Sequence, residues 1–207
     1  MTMRTITSLY DTYDDAAETV RDLEAASIPH DSISVMANNA DNRYAPVDSA
    51  KTEAASGAGT GASIGTVLGG GAGLLAGLGM LAIPGVGPVV AAGWLAATLV
   101  GAAAGAGIGA ASGGIIGAMM EAGVSKEHAH VYAEGIRRGG TLVTARVDEP
   151  QAAIVEGIMR QHHPVDPDAR GLAYRNSGWK EFDVKATALG ADDLERERAL
   201  YRRDRAA

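Results

Sequence analysis

The sequence predicts an α+β protein in which a β-α-β…β-α-β domain is interrupted by a long Gly/Ala-rich helical hairpin. Three observations carry this. Residues 4–37 read as strand, helix, strand; residues 123–166 read as helix, strand, helix and a short strand; and no charged residue occurs between Glu53 and Glu121. That uncharged run is built of Gly, Ala, Leu, Val and Ile. Its glycines recur at helical spacing, as Gly61, Gly65, Gly69, Gly73 and Gly77, then as Gly101, Gly105, Gly109, Gly113 and Gly117. Small residues four apart lie on one side of a helix and let a second backbone approach closely. These glycines are the candidate helix-packing positions.

Arg4 to Tyr10 alternates and is rich in Thr and Ile, the pattern of a strand. Asp14 and Asp15 suit a helix start, by capping and by favouring its positive end. Ala16, Val20 and Leu23 then recur at helical spacing, with Glu18, Arg21 and Asp22 turned outward. Ile28-Pro29 stops the helix. Ile33, Val35 and Ala37 alternate with Ser34 and Met36 as a second strand, and Asn38 to Lys51 is a polar linker. Pro84-Gly85-Val86-Gly87-Pro88 breaks the uncharged run into two stretches, near 57–83 and 88–120. At about 1.5 Å rise per residue each is long enough, as a helix, to span a hydrocarbon core.

Beyond the run, Gly123-Val124-Ser125 reads as a stop followed by a fresh N-cap. Ala129, Tyr132, Ala133 and Ile136 form one apolar helix face, which Gly139-Gly140 terminates. Thr141 to Val147 is a third strand. Asp148-Glu149-Pro150 opens a helix with Ala152, Val155, Ile158, Met159 and His162 on one side. Pro164-Val165-Asp166 is placed as a short fourth strand. From Pro167 the chain turns polar, and Asp192 to Arg205 is dense in mixed charge, so the tail is expected to be partly disordered.

The chain thus divides into a split domain of residues 1–40 and 123–168, an insertion at 54–120 and a tail at 169–207. Neither half of the split domain has enough strands to stand alone. Paired, they give a four-stranded sheet with helices on one face, the ferredoxin-like order. Both ends of the insertion then return to one place, so it crosses any membrane an even number of times.

The tract Tyr132-Ala133-Glu134-Gly135-Ile136-Arg137-Arg138-Gly139-Gly140-Thr141-Leu142-Val143-Thr144, with the opening unit Arg4 to Ala37, resembles bacterial general stress proteins of the 17M-like (heat-induced stress protein) type. Members of that family often carry a central glycine-zipper segment. The resemblance covers roughly half the chain and stops before the tail after Asp168. It implies a stress-linked, non-enzymatic protein and transfers no catalytic residue.

Composition narrows the function classes. A net charge of -7 argues against a nucleic-acid binder, which shows a basic stripe. With no cysteine there is no disulfide, thiolate metal site or thiol nucleophile. Gly57-Ala58-Gly59-Thr60-Gly61 and Gly69-Gly70-Gly71 are not read as a phosphate loop, because the run has no Lys or Arg and its glycines continue for dozens of residues. His128 and His130 point to different sides of a helix. His162-His163 ends the last domain helix, where a protonated ring suits the negative end. Ser, His and Asp show no triad spacing. No catalytic, cofactor-binding or metal site is assigned. The expected partners are a second copy of the chain and membrane lipid.

What surrounds the uncharged run is open at this point. One reading puts it in the cytoplasmic membrane with the soluble domain in the cytoplasm. Against it, Gly and Ala drive insertion weakly, and Lys51, Glu53, Glu121 and Lys126 give no positive-inside signal. A second reading is a cytoplasmic homo-oligomer that buries the hairpin. A third is a ligand-sensing α+β module anchored by it.

Overall fold

The structure is a computed structural model that describes residues 3–44, 79–105 and 110–204. It is a mixed α/β protein with a five-stranded antiparallel sheet in the order β1-β5-β2-β4-β3. The strands are β1 Met3–Tyr10, β2 Ile33–Asn38, β3 Gly79–Ile83, β4 Gly87–Ala92 and β5 Thr141–Asp148. The helices are α1 Tyr13–Ala25, α2 Trp94–Gly105, α3 Ala110–Glu121, α4 Lys126–Arg137, α5 Glu149–Gln161, α6 Pro167–Asn176 and α7 Ala191–Asp204.

Local chemistry explains the domain's boundaries. Thr12 caps α1, its hydroxyl accepting from the Asp15 amide at 3.2 Å, while Asp14 and Asp15 occupy the first turn. Ser125 caps α4 by accepting from the His128 amide at 3.2 Å. Before it, the Val124 amide returns to Met119 O at 3.0 Å and the Gly123 amide to Met120 O at 2.9 Å, closing α3. Pro150 sits in the first turn of α5, where a missing amide costs nothing.

Period-two alternation sends neighbouring strand residues to opposite faces of the sheet. Val143 joins Val20, Leu23, Val35 and Val155 under α1 and α5. Leu142 joins Leu9, Met36, Val89, Leu95 and Met119 under α2, α3 and α4. β2, the middle strand, is buried along its whole length. The expectation of helices on one face is therefore corrected: both faces are covered, because α4, joined by α2 and α3 from the uncharged insertion, forms a second helical layer.

The insertion differs most from expectation. Residues 79–83 and 87–92 are strands, not helix, and pair as a hairpin from Gly79↔Ala91 to Ile83↔Gly87. Pro84 to Val86 forms its turn, closed by the Val86 amide on Ile83 O at 3.1 Å. β4 docks on β2, so the hairpin extends the domain's own sheet. Each of α2 and α3 has only 12 residues, and Gly114 (φ 39, ψ -144) breaks α3 internally. Among the described residues no helix is long and apolar enough to cross a membrane. This overturns the expectation of a transmembrane hairpin: in the described part of the run, 79–83 and 87–92 are strands and the two helices have 12 residues each, while 57–78 lies outside the described residues.

Gly93 turns the chain from β4 into α2 at φ 87, and a Cβ there would lie 2.5 Å from Ser34 Oγ and 2.8 Å from Ser34 Cα. The close approach is used: Ser34 Oγ accepts from the Leu95 amide at 2.9 Å, so a residue of β2 caps α2. The Trp94 indole donates to Ser32 O at 3.2 Å.

The fourth strand expected at Pro164-Val165-Asp166 does not form. The segment makes one ladder-like bond, Val165 N to Leu9 O at 2.8 Å, before Asp166 caps α6 through its carboxylate. The tail is not loose in the described residues. α6 and α7 are formed, Tyr174 and Phe182 are buried and Leu194 is fully buried.

Candidate functional site

Gly61, Gly65, Gly69, Gly73, Gly77 and Gly109 lie outside the described residues. Gly101 and Gly105 lie in α2, and Gly113 and Gly117 in α3. A Cβ on Gly117 would meet nothing within 4 Å among the described residues. Met80 on β3 is 49 % exposed and Met120 on α3 is 46 % exposed, both large apolar side chains. β3 is one of the two edge strands of the sheet among the described residues, β1 being the other.

The tract Tyr132 to Thr144 acts as a clamp. Glu134 is 2 % exposed, and its Oε1 accepts from Arg138 Nε at 2.7 Å and Arg137 Nη1 at 3.1 Å. Burial alone would lower the Arg138 pKa; the hydrogen bond and charge of Glu134 outweigh it and raise it. Arg138 continues to Glu197 at 3.3 Å and lies 4.5 Å over the Tyr174 ring. Gly135 packs directly on the Leu9 side chain. The Tyr132 hydroxyl donates to Thr7 O at 3.4 Å, and burial pushes its pKa to about 12, so it stays a donor. Arg137 and Arg138 are therefore partly buried and held on the buried Glu134 carboxylate.

Three contacts fasten the tail to this clamp. Arg198, 7 % exposed, pairs with Asp41 and donates from Nε to Gly139 O at 3.1 Å. Arg170 grips Asp11 with two bonds of 2.8 Å and lies 4.0 Å over the Tyr201 ring. Phe182 enters the core above the β3–β4 turn, where a Cβ on Gly85 would lie 2.9 Å from its Cζ.

The histidines are engaged singly. His162 Nε2 lies 2.7 Å from Asp22 Oδ2, and Glu18 is 3.6 Å from its other nitrogen, so these carboxylates face a ring as well as solvent. His128 Nε2 lies 2.9 Å from Asp168 Oδ1. Among the described residues no group of three or more such side chains is placed to hold a metal ion.

His130 accepts from the Phe182 amide through Nδ1 at 3.2 Å. Burial lowers its pKa, Glu181 opposes this and Lys126 adds to it. A lowered folded-state pKa means that the unfolded chain binds the proton more readily. The stability from this contact is present above the ordinary histidine pKa, about 6.5, and is lost as pH falls through the lower folded value. Trp179 fluorescence should therefore report loosening of residues 179–190 on acidification below about pH 6. His130→Asn, which keeps an acceptor that does not titrate, should flatten that change; an identical acid profile in the variant would refute the assignment.

Two clefts open on the surface. One, of about 540 Å³, is lined by Asp11 and Arg170, whose charges are closed on each other. The other, of about 620 Å³, lies between the sheet and the α2–α3 pair, with Thr5, Trp94, Thr98, Glu121 and Arg146 on its walls. The Arg146 guanidinium sits 4.4 Å over the Trp94 ring. The residues themselves singled out neither Trp94 nor Arg146 as a site; the available signal was a lone arginine inside an otherwise buried strand.

No family model, no curated protein and no solved structure matches this chain.

Proposed function

We propose that the protein is a non-enzymatic, stress-linked assembly protein whose uncharged insertion contacts a second copy of the chain. The observation that carries this is the character of the insertion. It holds no charge across residues 54–120 of a chain whose net charge is -7, yet it places Met80 and Met120 at the surface. A neutral surface lets two otherwise repelling copies approach, and an uncharged outer strand is a template for pairing. The small residues of α3 offer a second copy a low ridge for helix contact.

The finer fold reading follows the same lines. The unit β1-α1-β2 is split by β5, which runs antiparallel to both and leads into α5. This supports a ferredoxin-like core whose fourth strand is reduced to the Val165 contact and whose other side is enlarged by the β3–β4 hairpin. The stress-linked part rests on the resemblance of Tyr132 to Thr144. It predicts that abundance rises after heat or osmotic shock, and a flat level would remove it.

Gly117→Leu tests the assembly. A Cβ at this position meets nothing within 4 Å among the described residues, so the protomer is expected to tolerate the substitution while the surface offered to a partner changes. Light scattering should give an oligomeric mass for the wild type and a lower mass for Gly117→Leu or Met80→Lys, with unchanged circular dichroism. A monomeric wild type, or an oligomer indifferent to both changes, would sink the reading.

A further inference from the structure

We propose that the cleft between the β1–β5 end of the sheet and the α2–α3 pair binds a small organic carboxylate, with Arg146 as its anchor. Arg146 is exposed in a strand where Thr141 to Ala145 and Val147 are all buried. It lines the cleft together with Trp94 and Thr98 of α2 and Glu121 of α3. Every other arginine whose side chain is described forms an ion pair with a carboxylate. Arg146 forms none among the described residues. It is held instead by the face of Trp94 at 4.4 Å. The contact holds the guanidinium at the ring face, and the N–H groups of a guanidinium without a carboxylate partner match a carboxylate with two parallel hydrogen bonds.

The rest of the cleft narrows the ligand class. At about 620 Å³ it falls in the range of small-molecule sites. Met3, Ala118 and Ala122 supply apolar wall, and Thr5, the cross-strand partner of Arg146, supplies a hydroxyl. Arg4 lines the mouth, but its guanidinium is committed to Glu149 and Glu156 at 3.3 and 3.2 Å. Glu121 lies on the wall formed by α3 and has no ion-pair partner among the described residues. An apolar body with a carboxylate at one end is thus favoured, and one with an ammonium at its other end more so. This inference is independent of self-assembly.

Hexanoate, 6-aminohexanoate and hexylamine are suitable probes, titrated into the full chain carrying Trp179→Phe so that Trp94 alone reports. Both carboxylates should change Trp94 fluorescence saturably, 6-aminohexanoate more tightly than hexanoate, and hexylamine should not bind. Arg146→Gln should weaken hexanoate binding at least about tenfold with unchanged circular dichroism. Glu121→Gln should erase the advantage of 6-aminohexanoate while leaving hexanoate unaffected. The proposal is overturned if neither carboxylate binds below about 50 mM. It is equally overturned if Arg146→Gln binds hexanoate as the parent does, or if hexylamine binds as tightly as hexanoate.

Discussion

Glu134→Leu should lower the unfolding free energy by roughly 3 kcal/mol, because it leaves two guanidinium groups in an interior built around one carboxylate. Glu134 is 2 % exposed and serves Arg137 and Arg138 together. Removing one member of a buried ion pair costs about 3–5 kcal/mol, since the partner's desolvation is no longer offset. The lower end applies here, because Arg138 keeps Glu197 and the Tyr174 ring. For a chain of this size the loss corresponds to a fall in Tm of about 6–12 °C. Glu134→Gln should fall between, as it keeps one acceptor without the charge. A Glu134→Leu protein as stable as the wild type in urea would show that the clamp contributes nothing.

The second large effect concerns the tail. Phe182→Ala should cost about 3–5 kcal/mol, the usual result of emptying a buried phenylalanine site. Phe182 shares the core with Val86, Tyr132 and Ile136, so the tail and the insertion's turn close one cavity together. Loss of the ring should reach both. In single-tryptophan variants, Trp94 in α2 and Trp179 in the segment before α7 should lose their native signals in one shared transition, shifted to lower denaturant by Phe182→Ala. If Trp179 changed first and Trp94 kept the wild-type midpoint, the tail would be a separate unit whose docking does not stabilise the rest.

These expectations separate what was readable in the chain from what was not. The first helix, the α4 face and the α5 start were legible because their signals are local: a cap, a 3.6-residue period, a proline in the first turn. The β3–β4 hairpin was not. Gly-Met-Leu-Ala-Ile and Val-Val-Ala-Ala are short apolar runs without alternation, which period alone cannot assign to helix or strand. Their state is decided by β2, whose outer edge offers hydrogen bonds to β4 from Val35 to Asn38. The polar tail misled for a related reason. Its arginines read as solvated charge, but Arg170 and Arg198 are matched by Asp11 and Asp41 from the opposite end of the sequence. The candidate cleft was equally hidden, since Trp94 and Arg146 are far apart in sequence and meet only across the sheet face.

The sequence by itself determined that charged segments of α+β pattern flank an uncharged run at 54–120. Local patterning and the absence of charge suffice for that. Only the tertiary structure decided the rest: that the insertion extends the sheet and joins α4 in a second helical layer, that the tail closes the core, and that Arg146 has no carboxylate partner among the described residues. Each depends on pairings between residues far apart in the chain, and such pairings leave no period for a local pattern to carry.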